Sequence, residues 1–137
     1  MSYGVAAALQ KAVYETLVTD PGLTDLVGTQ VFDGVPTGTV PGTYVAIGPE
    51  EVRDRSDVSG RGAVHRFTVS VISAEDGFAT VKTVAAAVTD ALDEADPVLE
   101  RGRLVGLWFE RASAKRTGQA ELLRQIDLRF RARVEDD

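Results

Sequence analysis

The stretch from Leu122 to Val134, LLRQIDLRFRARV, limits most strongly what this chain can become. Side chains on a β-strand point to alternate faces, so a period of two marks a strand with one buried side. Leu122, Ile126, Leu128, Phe130, Ala132 and Val134 fall on one side, with Arg124 the exception. Leu123, Gln125, Asp127, Arg129, Arg131 and Arg133 fall on the other. A long strand of this kind needs neighbours and a layer to cover its apolar face.

The neighbours are visible upstream. RLVGLWFERASAK, residues 103–115, reads as a second long strand, joined to the last at RTGQ. In it Trp108 and Phe109 point to opposite faces. One is expected in the core and the other beneath a helix or a neighbouring subunit. HRFTVSV, residues 65–71, alternates again, with His65, Phe67, Val69 and Val71 on one face and Arg66, Thr68 and Ser70 on the other. TYVAIG, residues 43–48, has no polar side and reads as a central strand. TQVFDGV, residues 29–35, reads as a short strand ending at Asp33-Gly34.

Two segments have helical periodicity. Val5, Leu9, Ala12, Val13, Thr16 and Leu17 form an apolar stripe that Asp20-Pro21-Gly22 stops, because proline lacks the amide and restricts its predecessor. GLTDLVG then adds a short helical turn with Gly28 as its left-handed cap. Phe78, Val81, Val84, Ala85, Val88, Ala91 and Leu92 form the second stripe. Ser73 or Asp76 is expected to cap it, and Asp96-Pro97 to end the segment. The expected fold is α+β: a mainly antiparallel sheet of four to five strands with two helices on one face. Residues 1–137 are expected to be one domain, since a chain of 137 residues is long enough to bury its own core.

Between the strands lies PEEVRDRSDVSGRG, residues 49–62. It reads as a long solvated loop or a protruding hairpin. Its charged side chains are Glu50, Glu51, Arg53, Asp54, Arg55, Asp57 and Arg61. Their spacing does not match the twelve-residue calcium loop. SGRG lacks the lysine and hydroxyl ending of a phosphate-binding loop and does not open a helix.

Composition removes several chemistries. Without cysteine there is no disulfide, no thiolate nucleophile and no cysteine-ligated zinc. The single histidine rules out a multi-histidine metal site. A formal charge of −6 argues against general nucleic-acid binding. The N-terminal segment carries Lys11, Glu15 and Asp20 and lacks a basic leader, so it is not expected to be a signal peptide. No apolar run approaches the ~18 residues of a membrane span. His65 lies in phase with Phe67 and Val69 at the entrance of a strand, which favours a structural role over a catalytic one. No catalytic centre and no cofactor are expected. The row Arg129, Arg131 and Arg133 is either a solvated face or an electrostatic surface for a partner.

The ordered segments AAALQKAVYETLVTDPGLTDLVGTQVFDGVP, YVAIGPEEVRDRSDVSGRGAVHRFTVSVIS, GFATVKTVAAAVTDAL and RQIDLRFRARVE resemble the tail-completion, or tail-terminator, family of long-tailed bacteriophages and gene transfer agents. The likeness spans nearly the whole chain. Ile72 departs from it, standing where many relatives have an aromatic residue. The resemblance implies a non-enzymatic virion protein assembled in the bacterial cytoplasm, with no membrane partner. It further implies a ring, usually a hexamer, seated on the last ring of the tail tube and meeting a head-side connector or stopper. DNA would pass only through its lumen. Residues 49–62 would then be an arm toward a neighbouring subunit or ring, and the arginine row would pair with carboxylates in 50–57 or with Glu135, Asp136 and Asp137. The competing reading is a small cytosolic anion-binding or regulatory domain using Arg61, His65 and Arg66.

Overall fold

A computed structural model describes residues 3–38, 40–58, 60–75 and 77–136. Three helices, α1 (Ala6–Thr19), α2 (Pro21–Val27) and α3 (Ala79–Leu92), lie against a sheet of five strands. The strands are β1 (Val31–Phe32), β2 (Thr43–Asp54), β3 (Gly62–Ser73), β4 (Arg103–Thr117) and β5 (Leu123–Glu135). Their order across the sheet is β1-β2-β3-β5-β4. All pairs are antiparallel except β1 with β2. The α+β expectation holds, with α2 as a third, short helix.

One chemical unit both ends α1 and starts α2. Pro21 supplies no amide for α1 to continue, and it occupies the first turn of α2, where an amide is not needed. Asp20 accepts a hydrogen bond from the Leu23 amide at 3.0 Å, a side-chain N-cap. Gly28 closes α2 at φ 61°.

The apolar stripes meet as the periodicity predicts. Leu9, Val13 and Leu17 of α1 and Val81, Val84, Val88 and Leu92 of α3 are buried on Phe67, Val69, Val71, Leu128, Phe130 and Val134 of the sheet. Phe67 and Phe130 stack at 5.6 Å between ring centroids, at the middle of the β3–β5 pair.

Several local expectations are corrected. Only Val31 and Phe32 of the predicted 29–35 strand pair with a neighbour. Residues 49–54 are not loop: they continue β2, after a bulge between Ile47 and Glu50, so the protruding hairpin is the form observed. Helix α3 ends at Leu92, before Asp96-Pro97. Ser73 does not cap α3. Its hydroxyl accepts from the Glu75 amide at 3.1 Å, and Phe78 occupies the N-cap position without a side-chain bond. Asp76 lies outside the described residues. Leu122 is 66% exposed, in the turn before β5. In β4, bulges between Leu104 and Gly106 and between Phe109 and Arg111 shift the phase. The core positions are therefore Leu104 and Leu107, while Trp108 is half-buried and Phe109 is 38% exposed.

Candidate functional site: the helix-free face of the sheet

The helices cover one face of the sheet, and among the described residues no helix covers the other. The register shows which side chains share it. Arg131 on β5 stands between Arg66 on β3 and Trp108 on β4. Arg129 stands between Thr68 and Arg111. Arg133 stands between Val64 and Gly106. Glu51 and Arg53 continue this face onto β2. A chain of net charge −6 thus gathers Arg53, Arg66, Arg111, Arg129, Arg131 and Arg133 on one surface, with Glu51 and Glu110 interspersed.

Like charges directly opposite on neighbouring strands are unfavourable. Local partners offset part of this. The Arg131 guanidinium lies 4.7 Å from the centre of the Trp108 ring, within cation–π range. Arg66 Nε is 3.3 Å from a Glu110 oxygen. Arg53 donates to Glu51 at 2.9 Å, and this bond, with the charges of Arg53, Arg129 and Arg66, holds the Glu51 carboxyl below the usual range. Arg133 reaches the Arg55 carbonyl at 3.2 Å and so ties the β2–β3 hairpin to β5. The three arginines of the row therefore differ: Arg133 is an anchor and Arg131 a stacked cation, whereas half-buried Arg129 stands opposite Arg111 and acts on Glu51 through its charge.

Below the arginines sits a carboxylate network. Asp127 accepts from Ser70 Oγ at 2.6 Å, Gln125 Nε2 at 2.8 Å and Lys115 Nζ at 3.1 Å. Burial acts to raise its pKa, but these three donors outweigh burial and hold it below the ordinary aspartate value. Tyr44, Ile72 and Leu123 line an apolar groove of about 390 Å³ at the same end of this face.

The predicted arm divides into two parts. Glu50, Glu51, Arg53 and Asp54 are strand residues, and Arg55, Asp57 and Arg61 belong to the turn. Asp54 accepts from the Ser56 hydroxyl at 2.7 Å, its first cause of a lowered pKa. Asp57 and Gly60 close the turn through backbone and side-chain bonds of 3.0 Å each. The Arg61 carbonyl accepts from the Asp136 amide at 2.8 Å.

His65 is on the helix side and has no exposed surface. Its Nδ1 is 3.4 Å from a Glu50 oxygen, and its ring stacks on Tyr3 at 6.4 Å. Tyr3 donates its hydroxyl to the same carboxylate, which raises the phenol's pKa. Arg66 points to the opposite face, and Arg61 is an exposed turn residue. The anion-binding trio of Arg61, His65 and Arg66 is thus not brought together. Carboxylates expected to pair with the arginine row are engaged elsewhere: Arg103 holds Glu135, and Arg101 holds Asp136 through two bonds of 2.9 and 3.1 Å. Asp137 lies outside the described residues. The contributions of Arg111, Lys115 and Glu110 were not evident in sequence, because the β4 bulges break the alternation that would have placed them. No cluster of metal-ligating side chains is present among the described residues.

Residues 11–135 match the family model described as tail completion protein gp17. The chain belongs to that family. It is 61% identical to a chain in a solved structure described as the virion of a native gene transfer agent particle, with a TM-score of 0.90 over 98% of this chain and 99% of that one. A second solved chain, 17% identical with a TM-score of 0.56 over 98% and 96% of the two chains, shares the fold alone. No curated protein sequence matches. This tail completion protein is accordingly a structural component of a phage-like tail, and its place is the tail or neck of such a particle. Among the described residues no helix is long and apolar enough to cross a membrane.

Proposed function

We propose that this protein is a tail terminator: a homo-oligomeric ring, of hexameric form, that caps the last ring of the tail tube and joins it to the head-side connector or stopper. The observation that carries the reading is the 61% identity to a gene transfer agent virion chain over almost all of both chains. The surface chemistry is in keeping with it. The helix-free face is broad and cationic, with like charges set opposite each other, and among the described residues no helix covers it. Unlike charges on an adjoining subunit or ring would relieve that repulsion and steer docking.

In this reading the protein performs no catalysis and needs no cofactor. Its work is to present one surface that fits the tube end and another that fits the connector, and the lumen lets DNA through. Assembly takes place in the bacterial cytoplasm. The hairpin 49–62 supplies contacts to a neighbouring subunit or ring. The test is genetic complementation of a particle producer lacking this chain, followed by electron microscopy. Loss of the chain is expected to give tails of irregular length without heads, and wild type to restore joined tails of one length. Normal joined particles in its absence would refute the reading.

A further inference from the structure

Each edge strand of the sheet is half covered by its own chain, and the two open halves lie on a diagonal. At the start of β4 the segment after α3 closes the edge: the Glu94 amide donates to the Leu107 carbonyl at 2.8 Å, and the Phe109 amide to Asp93 at 2.9 Å. From Glu110 to Thr117 no backbone hydrogen bond reaches that edge among the described residues, and residues 109–116 are exposed. On the opposite edge, β1 and Gln30 cover the start of β2, and beyond Ile47 the β2 edge is open. A bare strand edge is a template for another strand. Natural chains blunt such edges with proline, bulges or charged side chains. The open half of β2 has proline and a bulge only at its beginning, at Pro49. The open half of β4 from Arg111 onward has neither, and its charged groups, Arg111, Lys115 and Arg116, repel a like-charged strand and favour one of opposite charge.

We propose that the open half of β4 in one copy pairs with the open half of β2 in the next copy, extending the sheet from subunit to subunit. This rests on the ring reading and names the contact that builds the ring. Polarity permits it. The pairs β2–β3, β3–β5 and β5–β4 are all antiparallel, so β4 runs opposite to β2. A second copy set beside β4 with the same face outward lays its β2 antiparallel to it. The alternation then continues unbroken.

Charge selects this partner. Residues 110–116 contain Arg111, Lys115 and Arg116 against Glu110, a net of +2. Residues 50–54 contain Glu50, Glu51 and Asp54 against Arg53, a net of −2. Directly opposed residues must share a face, and this restricts the register. The register that sets Lys115 opposite Glu51 also sets Arg116 opposite Glu50, Ala114 opposite Val52 and Ser113 opposite Arg53. Pairing β4 with β4 of a second copy about Ser113 would instead oppose Arg111 and Lys115.

The diagonal has a geometric consequence. Lys115 lies level with Gln125 of β5, whereas Glu51 lies level with Arg131 through Arg66. Six residues of strand separate the two levels, so each copy is displaced along the strands by roughly 20 Å. A sheet closes into a barrel only with such a stagger. The cationic faces of all copies then form one continuous wall.

The chain has no cysteine, so a trap can be built without background. Ser113→Cys and Arg53→Cys together, in the full chain under mild oxidation at assembling concentrations, are expected to give a ladder of covalent multimers on a denaturing gel. Either single variant is expected to give none. Hydrogen exchange on the unmodified protein is the second measurement, with the alternate amides of residues 112–116 that point away from β5 expected to slow at least about tenfold on assembly. Rings of wild-type mass with no ladder and unchanged exchange would overturn the edge pairing and leave the ring reading standing. A covalent dimer from Ser113→Cys alone would show β4–β4 pairing and overturn it as well. Wild-type protein that remains a single chain at every concentration would overturn both.

Discussion

The two faces of this sheet are made from the same strands and do opposite things. On the helix side, Phe67, Val69, Leu128, Phe130 and Val134 are buried beneath the stripes of α1 and α3, and each contributes through area removed from water. On the other side, the alternate residues of those strands, Arg66, Thr68, Arg129, Arg131 and Arg133, form a cationic surface with partial, local compensation. Exposed ion pairs contribute only about 0–1 kcal/mol each. Fold stability is therefore concentrated on one face, while the other is free to specify a partner. His65 and Arg66 show the division at one step of the chain: the first is sealed in the core, and the second meets Glu110 on the open face.

Substitutions that cross this division should separate the faces by effect. Phe130→Ala is expected to cost the most, about 3–5 kcal/mol, because it removes a fully buried ring stacked on Phe67. Urea denaturation of wild type and variant measures it, and a loss under 1 kcal/mol would mean that the inner face is not the source of stability.

His65→Gln comes next. A buried polar side chain that keeps a hydrogen-bonding group near Glu50 is expected to cost about 0.5–3 kcal/mol and to leave assembly intact. A folded, ring-forming variant with no function would reopen a chemical role for the imidazole.

Asp127 tests the boundary between the faces. Its folded pKa is depressed, so its contribution is present above the unfolded value near ~3.9 and is lost as pH falls through the lower folded value. Asp127→Asn is expected to cost about 1 kcal/mol at pH 7 and to flatten the decline in stability below about pH 4. An unchanged acid limb in thermal melts would show that the Ser70, Gln125 and Lys115 bonds contribute nothing.

How much of this was legible in sequence depended on the same division. The inner face was readable because burial imposes a strict period: β3, β5, α1 and α3 follow from spacing alone. The outer face was readable only strand by strand. The row on β5 was visible, but its meeting with Arg66 and Arg111 is a matter of register, which periodicity within one strand does not encode. Bulges hid the rest. The irregularity at Gly48-Pro49 interrupts β2, so Glu50 to Asp54 resembled loop. Two bulges in β4 moved the core positions to Leu104 and Leu107 and left Trp108 beneath Arg131. The loss of alternation after Phe109 has a further cause: both sides of β4 are exposed there, so no face selects for apolar residues.

We propose that the cationic face serves assembly and not folding. Arg129→Glu combined with Arg131→Glu tests it most directly, by circular dichroism together with a tube-capping assay. The double variant is expected to keep its spectrum and to stay within about 1 kcal/mol of wild-type stability, since the lost Trp108 contact and the lost attraction of Arg129 for Glu51 are offset by relief of the Arg66–Arg131 and Arg111–Arg129 oppositions. It is expected to fail to cap tubes, and wild-type capping is expected to weaken with salt as the screening length falls to ~3 Å at 1 M. A folded double variant that still ends tails at their normal length would show that this face is merely solvated.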